Sequence, residues 1–336
     1  MLSLSTVIQL IGASSILISA YRLCAFAKIY LIPSTLSRYH HGKPGSTWAL
    51  VTGATDGIGH GFASHLCASG FNVLLHGRNP SKLLAVQQSL ETLYPAVQIK
   101  TVAADAFVYA NESDLKRIVD AVKSLPGTLT VLINNVGGVP LSPAYAPFVE
   151  SSASTIDDLM NLNARFPTQL TRALLPLLMS NTNRDTDGGP SSLIMNINSG
   201  TAVTGNMPFI ATYSAAKAFG LIFTTCLHAE MNALASTSSS TSSSPPVEVL
   251  GIIVGNTTTA RNPKNVAGVT CSADYLASQA LARVGCGQIH AWAWWRHGVL
   301  AWVMANCMPE ALVRWMVARE LTERMGQERE EMKKAT

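Results

Sequence analysis

At 336 residues the chain suits one α/β domain of about 250 residues with terminal extensions. Apolar residues make up 48% and charged residues 13%, about half the charge content of ordinary soluble proteins, which points to a membrane contact. A net charge of +4 is too weak for the basic footprint of a nucleic-acid-binding protein. Cys24, Cys67, Cys226, Cys271, Cys286 and Cys307 show no CxxC and no metal-ligand spacing, so they read as reduced thiols of a cytosolic compartment.

The first 21 residues carry no charge, and Leu4 to Tyr21 is one apolar stretch. Twenty-one helical residues span about 31 Å, close to the roughly 30 Å of bilayer hydrocarbon. Arg22, Lys28, Arg38 and Lys43 follow on one side only, which leaves that side cytosolic by the positive-inside tendency. A cleaved signal peptide wants positive charge before the apolar stretch, and none is present. Ser3, Ser5, Thr6, Gln9, Ser14, Ser15 and Ser19 weaken the span, so a helix lying in the interface stays open.

From Trp48 the pattern becomes short apolar runs: WALVTG, FNVLLHGR, VQIKTVAAD, LTVLINN, LIMNINS and VEVLGIIVGN. Between them lie segments of helical length, such as Asn111–Ser124 and Ile156–Leu178. Buried strands alternating with helices predict a doubly wound parallel sheet. NTNRDTDGGPSS (181–192) and the Ser-rich STSSSTSSSPP (236–246) read as loops. From about Val284 the chain is apolar again and holds Trp292, Trp294, Trp295, Trp302 and Trp315. That segment either lies on a membrane or packs on the sheet.

TGATDGIG (52–59) follows the first strand and opens a helix. Gly53, Gly57 and Gly59 allow the turn, close approach to a pyrophosphate and helix–strand packing, and the helix N-terminus favours negative charge. The second strand ends in Gly77 and Arg78, with Lys82 a turn later, where a cofactor lacking the 2′-phosphate wants a carboxylate. Arginine suits a bidentate phosphate, so NADP is favoured over NAD. Asp105 ends the third strand as an adenine partner or a helix cap. In YSAAK, Tyr213 and Lys217 lie four apart on one helix face. A cation there is expected to lower the phenol pKa from near 10 by roughly 1–3 units. Ser199, fourteen residues upstream, ends a strand and can donate to a substrate oxygen.

These residues resemble the short-chain dehydrogenase/reductase family over about Trp48 to Thr259. TGATDGIG resembles its TGxxxGxG turn, NNVG (134–137) its NNAG, and Asn163 in NLN the asparagine of its catalytic tetrad. Ser199, Tyr213 and Lys217 match the other three members. VGNTTT (254–259) stands where PGxVxT is usual; Val254 replaces the proline, while Gly255 and Thr259 match. Within the family the chain is similar to the very-long-chain 3-oxoacyl-CoA reductase and 17β-hydroxysteroid dehydrogenase branch. The C-terminal KKAT places Lys333 and Lys334 at dilysine positions that retrieve membrane proteins to the endoplasmic reticulum.

The resemblance implies an anchor over 1–33, a Rossmann-type NADP-binding reductase domain over 46–283 with the insertion at 236–246, and an apolar, Trp-rich extension with a charged tail over 284–336. It implies NADPH contacts by Gly53, Thr55, Asp56, Gly57, Ile58, Gly59, Arg78, Asp105, Asn135, Tyr213, Lys217 and Thr259. Tyr213 would donate the proton, Ser199 would bond the carbonyl, Lys217 would hold the nicotinamide ribose, and Asn163 would hold a water linked to Lys217. Expected partners are an apolar ketone, a lipid bilayer and a second copy of the chain, without nucleic acid. The substrate stays open between a long-chain 3-oxoacyl-CoA, a steroid and a ketone of specialised metabolism. An extended-branch epimerase would carry a TGxxGxxG turn, absent here, and a non-catalytic binder would lack Tyr213 or Lys217.

Overall fold

Each apolar run from Trp48 onward becomes a strand, because the runs are short and, apart from the edge run at Ile99–Ala103, buried on both faces. The computed structural model describes residues 3–335 apart from 42–44, 108–111, 141, 182–190, 238–244, 260–261, 263–265 and 267. Lys43, Asn111 and most of the two Gly/Ser-rich loops therefore lie outside the described residues. In chain order the elements begin with α1 (Leu4–Leu31), β1 (Thr47–Thr52), α2 (Gly57–Ala68), β2 (Asn72–Gly77), α3 (Pro80–Leu93), β3 (Ile99–Ala103), α4 (Glu112–Lys123) and β4 (Thr128–Asn134). They continue with α5 (Ala153–Met160), α6 (Phe166–Met179), β5 (Ser192–Ser199), α7 (Thr201–Thr204), α8 (Ala211–Thr237), β6 (Val247–Val254), β7 (Thr257–Thr258) and β8 (Cys271–Ser272). The chain closes with α9 (Ala273–Leu281), β9 (His290–Trp292), α10 (Trp295–Asn306) and α11 (Glu310–Ala335).

Seven parallel strands run in the order β3-β2-β1-β4-β5-β6-β9, and β7 pairs with β8 apart from them. This is a Rossmann-like sheet, in which the direction of strand addition reverses between β1 and β4. Alternate residues of β1 serve opposite faces. Ala49 and Val51 pack with Phe62 and Leu66 of α2, Leu83 of α3 and Leu276 of α9. Trp48 and Leu50 pack with Ile118 of α4, Leu174 of α6 and Leu227 of α8. Burying each such side chain contributes about 1.5–3 kcal/mol.

Three expectations change. The helix expected over Ile156–Leu178 is divided: a π-helical turn, Asn161–Arg165, separates α5 from α6. The extension expected from 284 begins later, because β9 is the seventh strand of the sheet, paired with β6 from Gly251 to Ile253. Its tryptophans also divide: Trp294 is buried, whereas Trp295, Trp302 and Trp315 are 45%, 58% and 57% exposed.

α1 is a 28-residue apolar helix with no buried residue, long and apolar enough to cross a membrane by length and composition. It continues past Arg22 and Lys28, and its last turn and the residues just after it are tied to the domain. Arg283 Nη1 donates to Ile29 O (2.7 Å), Tyr30 Oη to Trp292 O (3.2 Å) and Ser34 Oγ to Leu281 O (2.7 Å).

Candidate active site

The glycine-rich turn sits at the carboxyl end of β1, where the sheet reverses. Gly53 and Gly57 have φ of +66° and +54°, which side chains with a Cβ rarely adopt. At Gly59 a Cβ would stand 2.0 Å from Gly53 O and 2.6 Å from Asn135 Nδ2, so α2 packs against the turn with no room to spare. Thr52 Oγ1 accepts from the backbone N–H of Asn135 (2.9 Å) and Val136 (3.0 Å), while Asn135 Nδ2 donates to Thr52 O (2.9 Å). Asn135 thus braces the turn from β4. Asp56 caps α2, accepting from Gly57 N at 2.7 Å, and Ile58 packs on the core. The resulting cradle of backbone N–H groups at a helix N-terminus fits a dinucleotide pyrophosphate.

At the end of β2, Thr55 packs against Gly77, where a Cβ would meet its Cγ2 at 3.0 Å. Arg78 is exposed and lies over the Phe107 ring at 5.5 Å, a position open to a 2′-phosphate. Asp105 Oδ1 accepts from Phe107 N (2.9 Å), and Asp105 N donates to Asp114 (3.3 Å). Asp105 thus closes a local turn seven residues before α4 and caps no helix among the described residues. On the opposite side Thr259 reaches Gly57, where a Cβ would meet Thr259 Cγ2 at 3.3 Å.

Ser199, Tyr213, Lys217 and Asn163 come together from β5, α8 and the π turn. Ser199 lies near enough to the Tyr213 phenol to favour its ionised form, and it accepts from Thr201 Oγ1 (3.0 Å). Lys217 Nζ donates to Ile197 O (3.0 Å) and stands with Asn163 Oδ1 around Gly137, where a Cβ would meet them at 2.8 and 2.9 Å. Asn163 Oδ1 accepts from Gly138 N (2.8 Å), and its Nδ2 donates to Gly138 O (2.9 Å) and Leu159 O (3.0 Å). The water link expected of Asn163 is left to its backbone carbonyl and the second lone pair of Oδ1.

The electrostatics correct one expectation. Burial pushes the Tyr213 phenol above its ordinary value; the Ser199 hydroxyl pulls it down, and Tyr145 pushes it up. The lowering expected from Lys217 does not appear. Instead burial lowers the Lys217 ammonium itself from 10.5 to about 8, which weakens the charge meant to act on the phenol.

Loops close the site from two directions. Gly255 N donates to His297 Nδ1 (3.2 Å), and His297 Nε2 bonds Val269 O (3.0 Å). The segment that begins the C-terminal extension therefore shapes the loop after β6. A cavity of about 50 Å³ beside Tyr213 is lined by Val139, Pro143, Ala144, Ala146 and Phe209 among others. Sequence reasoning passed over this Pro-containing loop, because nothing local distinguishes a loop that folds over a site.

The family profile described as short chain dehydrogenase matches residues 47–266. A very-long-chain 3-oxoacyl-CoA reductase of Neurospora crassa is 29% identical over 85% of this chain and 81% of its own. One of Pyricularia oryzae is 31% identical over 81% and 76%. One of Mycosarcoma maydis is 35% identical over 62% of this chain, which spans 57% of that relative. Among solved structures, a 7β-hydroxysteroid dehydrogenase superposes with a TM-score of 0.67 at 18% identity, over 84% of this chain and 98% of its own. A short-chain dehydrogenase from Sphingobium yanoikuyae in complex with NADPH has a TM-score of 0.58 at 23% identity, over 73% and 86%. At such identities the superpositions carry the fold alone.

Proposed function

Because the chain belongs to the short-chain dehydrogenase family of nicotinamide-dependent oxidoreductases, we propose that it uses NADPH to reduce the ketone of a long-chain 3-oxoacyl-CoA to a secondary alcohol. The observation that carries this reading is the meeting of Ser199, Tyr213 and Lys217 beside an apolar cavity, at the carboxyl end of a sheet whose first turn fits a pyrophosphate. The substrate class is supported by the reductases of Neurospora crassa and Pyricularia oryzae, which align over most of the chain. Selection of the phosphorylated cofactor is supported by Arg78, which is exposed at the end of β2.

NADPH supplies the hydride when bound. Tyr213 gives its phenol proton to the carbonyl oxygen as negative charge develops there. Burial that holds the phenol protonated suits a proton donor for reduction. Ser199 donates to the same oxygen and holds it in line. Lys217 holds the nicotinamide ribose, and Asn163 fixes Gly138 and the floor beside Nζ. α1 anchors the enzyme in the endoplasmic reticulum membrane with the catalytic domain in the cytosol.

The test is NADPH oxidation by the purified full chain in detergent, with long-chain 3-oxoacyl-CoAs, steroids and small ketones as substrates. The acyl-CoAs are expected to show the highest kcat/KM. A steroid preferred over every acyl-CoA would overturn the substrate class, and no oxidation with any ketone would overturn the reductase reading.

A further inference from the structure

The charged tail after Trp315 would be a solvated helix if composition alone decided, yet one face of α11 grips the active-site rim. Glu328 accepts with both carboxylate oxygens, from Ala144 N (2.7 Å) and Tyr145 N (3.1 Å). One turn earlier, Arg324 Nη1 donates to Tyr145 Oη (3.4 Å) and to Asn262 Oδ1 (3.3 Å), while its Nε bonds Glu320 (2.9 Å). The Arg324 side chain is only 17% exposed. Next in sequence to Glu328, Arg329 pairs with Glu150 at 2.8 Å. The bonds to Ala144, Tyr145 and Glu150 join residues about 180 positions apart in sequence.

Both gripped loops belong to the site. The first, from Pro143 to Phe148, lines the cavity beside Tyr213 and is pinned on its other side by Ala146 N donating to Phe209 O (3.2 Å). The second carries Asn262, whose amide donates to Asn256 Oδ1 (2.7 Å) and Thr257 O (2.9 Å). Asn262 also exchanges backbone bonds with Thr259, the residue that reaches the glycine-rich turn. The Arg329–Glu150 pair is exposed and contributes little to stability, whereas the part-buried bonds of Glu328 and Arg324 act directly on the two loops. A carboxylate shared by two successive amides fixes backbone position well, which is what a loop at a reaction centre needs.

We propose that α11 is a clamp on the reductase site, with Glu328 and Arg324 as positioning residues that hold the 143–148 loop against the Tyr213 cavity. In this arrangement Ala144 and Ala146 of that loop border the substrate, and Arg324 ties the loop to Asn262 beside the cofactor turn. The influence of Tyr145 on the Tyr213 phenol agrees with that placement. The proposal rests on the reductase reading for its kinetic consequence, but the clamp itself is a structural claim that activity does not enter.

Two measurements on the full-length protein test it. Glu328→Gln is expected to speed hydrogen–deuterium exchange at the Ala144 and Tyr145 amides. Arg324→Ala is expected to speed exchange over 256–262 as well. In steady state, Glu328→Gln, Arg324→Ala and Tyr145→Phe should each raise KM for the ketone about tenfold, the weight of about 1.4 kcal/mol, with kcat changed much less. Arg324→Ala combined with Tyr145→Phe should be no worse than Arg324→Ala alone, because that variant already removes the bond that Tyr145→Phe removes. Tyr145→Phe, which keeps the ring, guards against a variant that fails to fold. Unchanged exchange in Glu328→Gln overturns the clamp whether or not the enzyme turns over. Faster exchange with unchanged KM overturns the role of the clamped loop in substrate binding. A wild-type enzyme inert towards all ketones defeats the reductase reading, and the exchange data still decide the clamp.

Discussion

Burial lowers the Lys217 ammonium to about 8 and raises the Tyr213 phenol, so the two groups titrate on opposite sides of their ordinary values. Reduction should hold up through neutral pH and lose kcat/KM above about pH 8, when Lys217 loses its charge while Tyr213 stays protonated. An unchanged profile up to pH 10 would remove Lys217 from the reaction. The same shift bears on stability. Between pH 8 and 10.5 the unfolded chain binds a proton that the folded chain has released, so stability rises with pH across that window. Below pH 8 the burial cost is fully present. Lys217→Met should therefore raise the thermal midpoint at pH 7, and the gain should shrink towards pH 10.5. Tyr213→Phe should lose turnover by about 10²–10⁴-fold with NADPH affinity unchanged, and retention of a tenth of wild-type turnover would displace Tyr213 as the acid. Arg78 is exposed, so Arg78→Ala should weaken NADPH about tenfold, the lower end for a bond to a charged group. NADH affinity should not move, and equal losses for both cofactors would exclude Arg78 as the phosphate partner.

At the scale of elements, the site depends on how closely α2 meets β1. Gly59→Ala places a methyl group 2.0 Å from Gly53 O and 2.6 Å from Asn135 Nδ2, both held by other bonds. Backbone shifts forced by overpacking cost about 1–3 kcal/mol, so the urea midpoint should fall and cofactor affinity with it. A variant as stable as the wild type, with intact cofactor binding, would mean that the turn relaxes freely. The π turn between α5 and α6 has a comparable role. Its wider coil places Asn163 Oδ1 beside Lys217 Nζ while the Asn163 amide hydrogens serve Gly138 and Leu159.

Across the whole molecule, α1 is joined to the catalytic domain by three side-chain hydrogen bonds near its end and by Arg283 stacked over Tyr30 at 4.6 Å. An anchor held this way would fix the height of the site above a bilayer, and exposed Trp295, Trp302 and Trp315 follow on the chain's later helices. The chain offers its own test of topology. Asn256-Thr-Thr is a glycosylation pattern used only on the luminal side, and Asn256 is bonded within the loop beside Thr259. A glycan there would break that loop. With a luminal N-terminus and a cytosolic domain, protease added to intact microsomes should digest the domain, and glycosidase should leave its mobility unchanged. Protection from protease, or a mobility shift, would reverse the orientation.

Local patterns determined what the sequence could state alone. The alternating apolar runs specify a parallel sheet, the glycine-rich turn specifies a cradle after β1, and Tyr213 and Lys217 share a face because four residues make about one helical turn. Each of these needs only neighbours in sequence. Tertiary structure decided the rest: the pairing of β9 with β6, the π turn at Asn163, the upward shift of the Tyr213 phenol and the reach of Glu328 to Tyr145. The physical reason is common to all four. Burial and long-range hydrogen bonds are sums over atoms brought close by packing, and no window along the chain contains them.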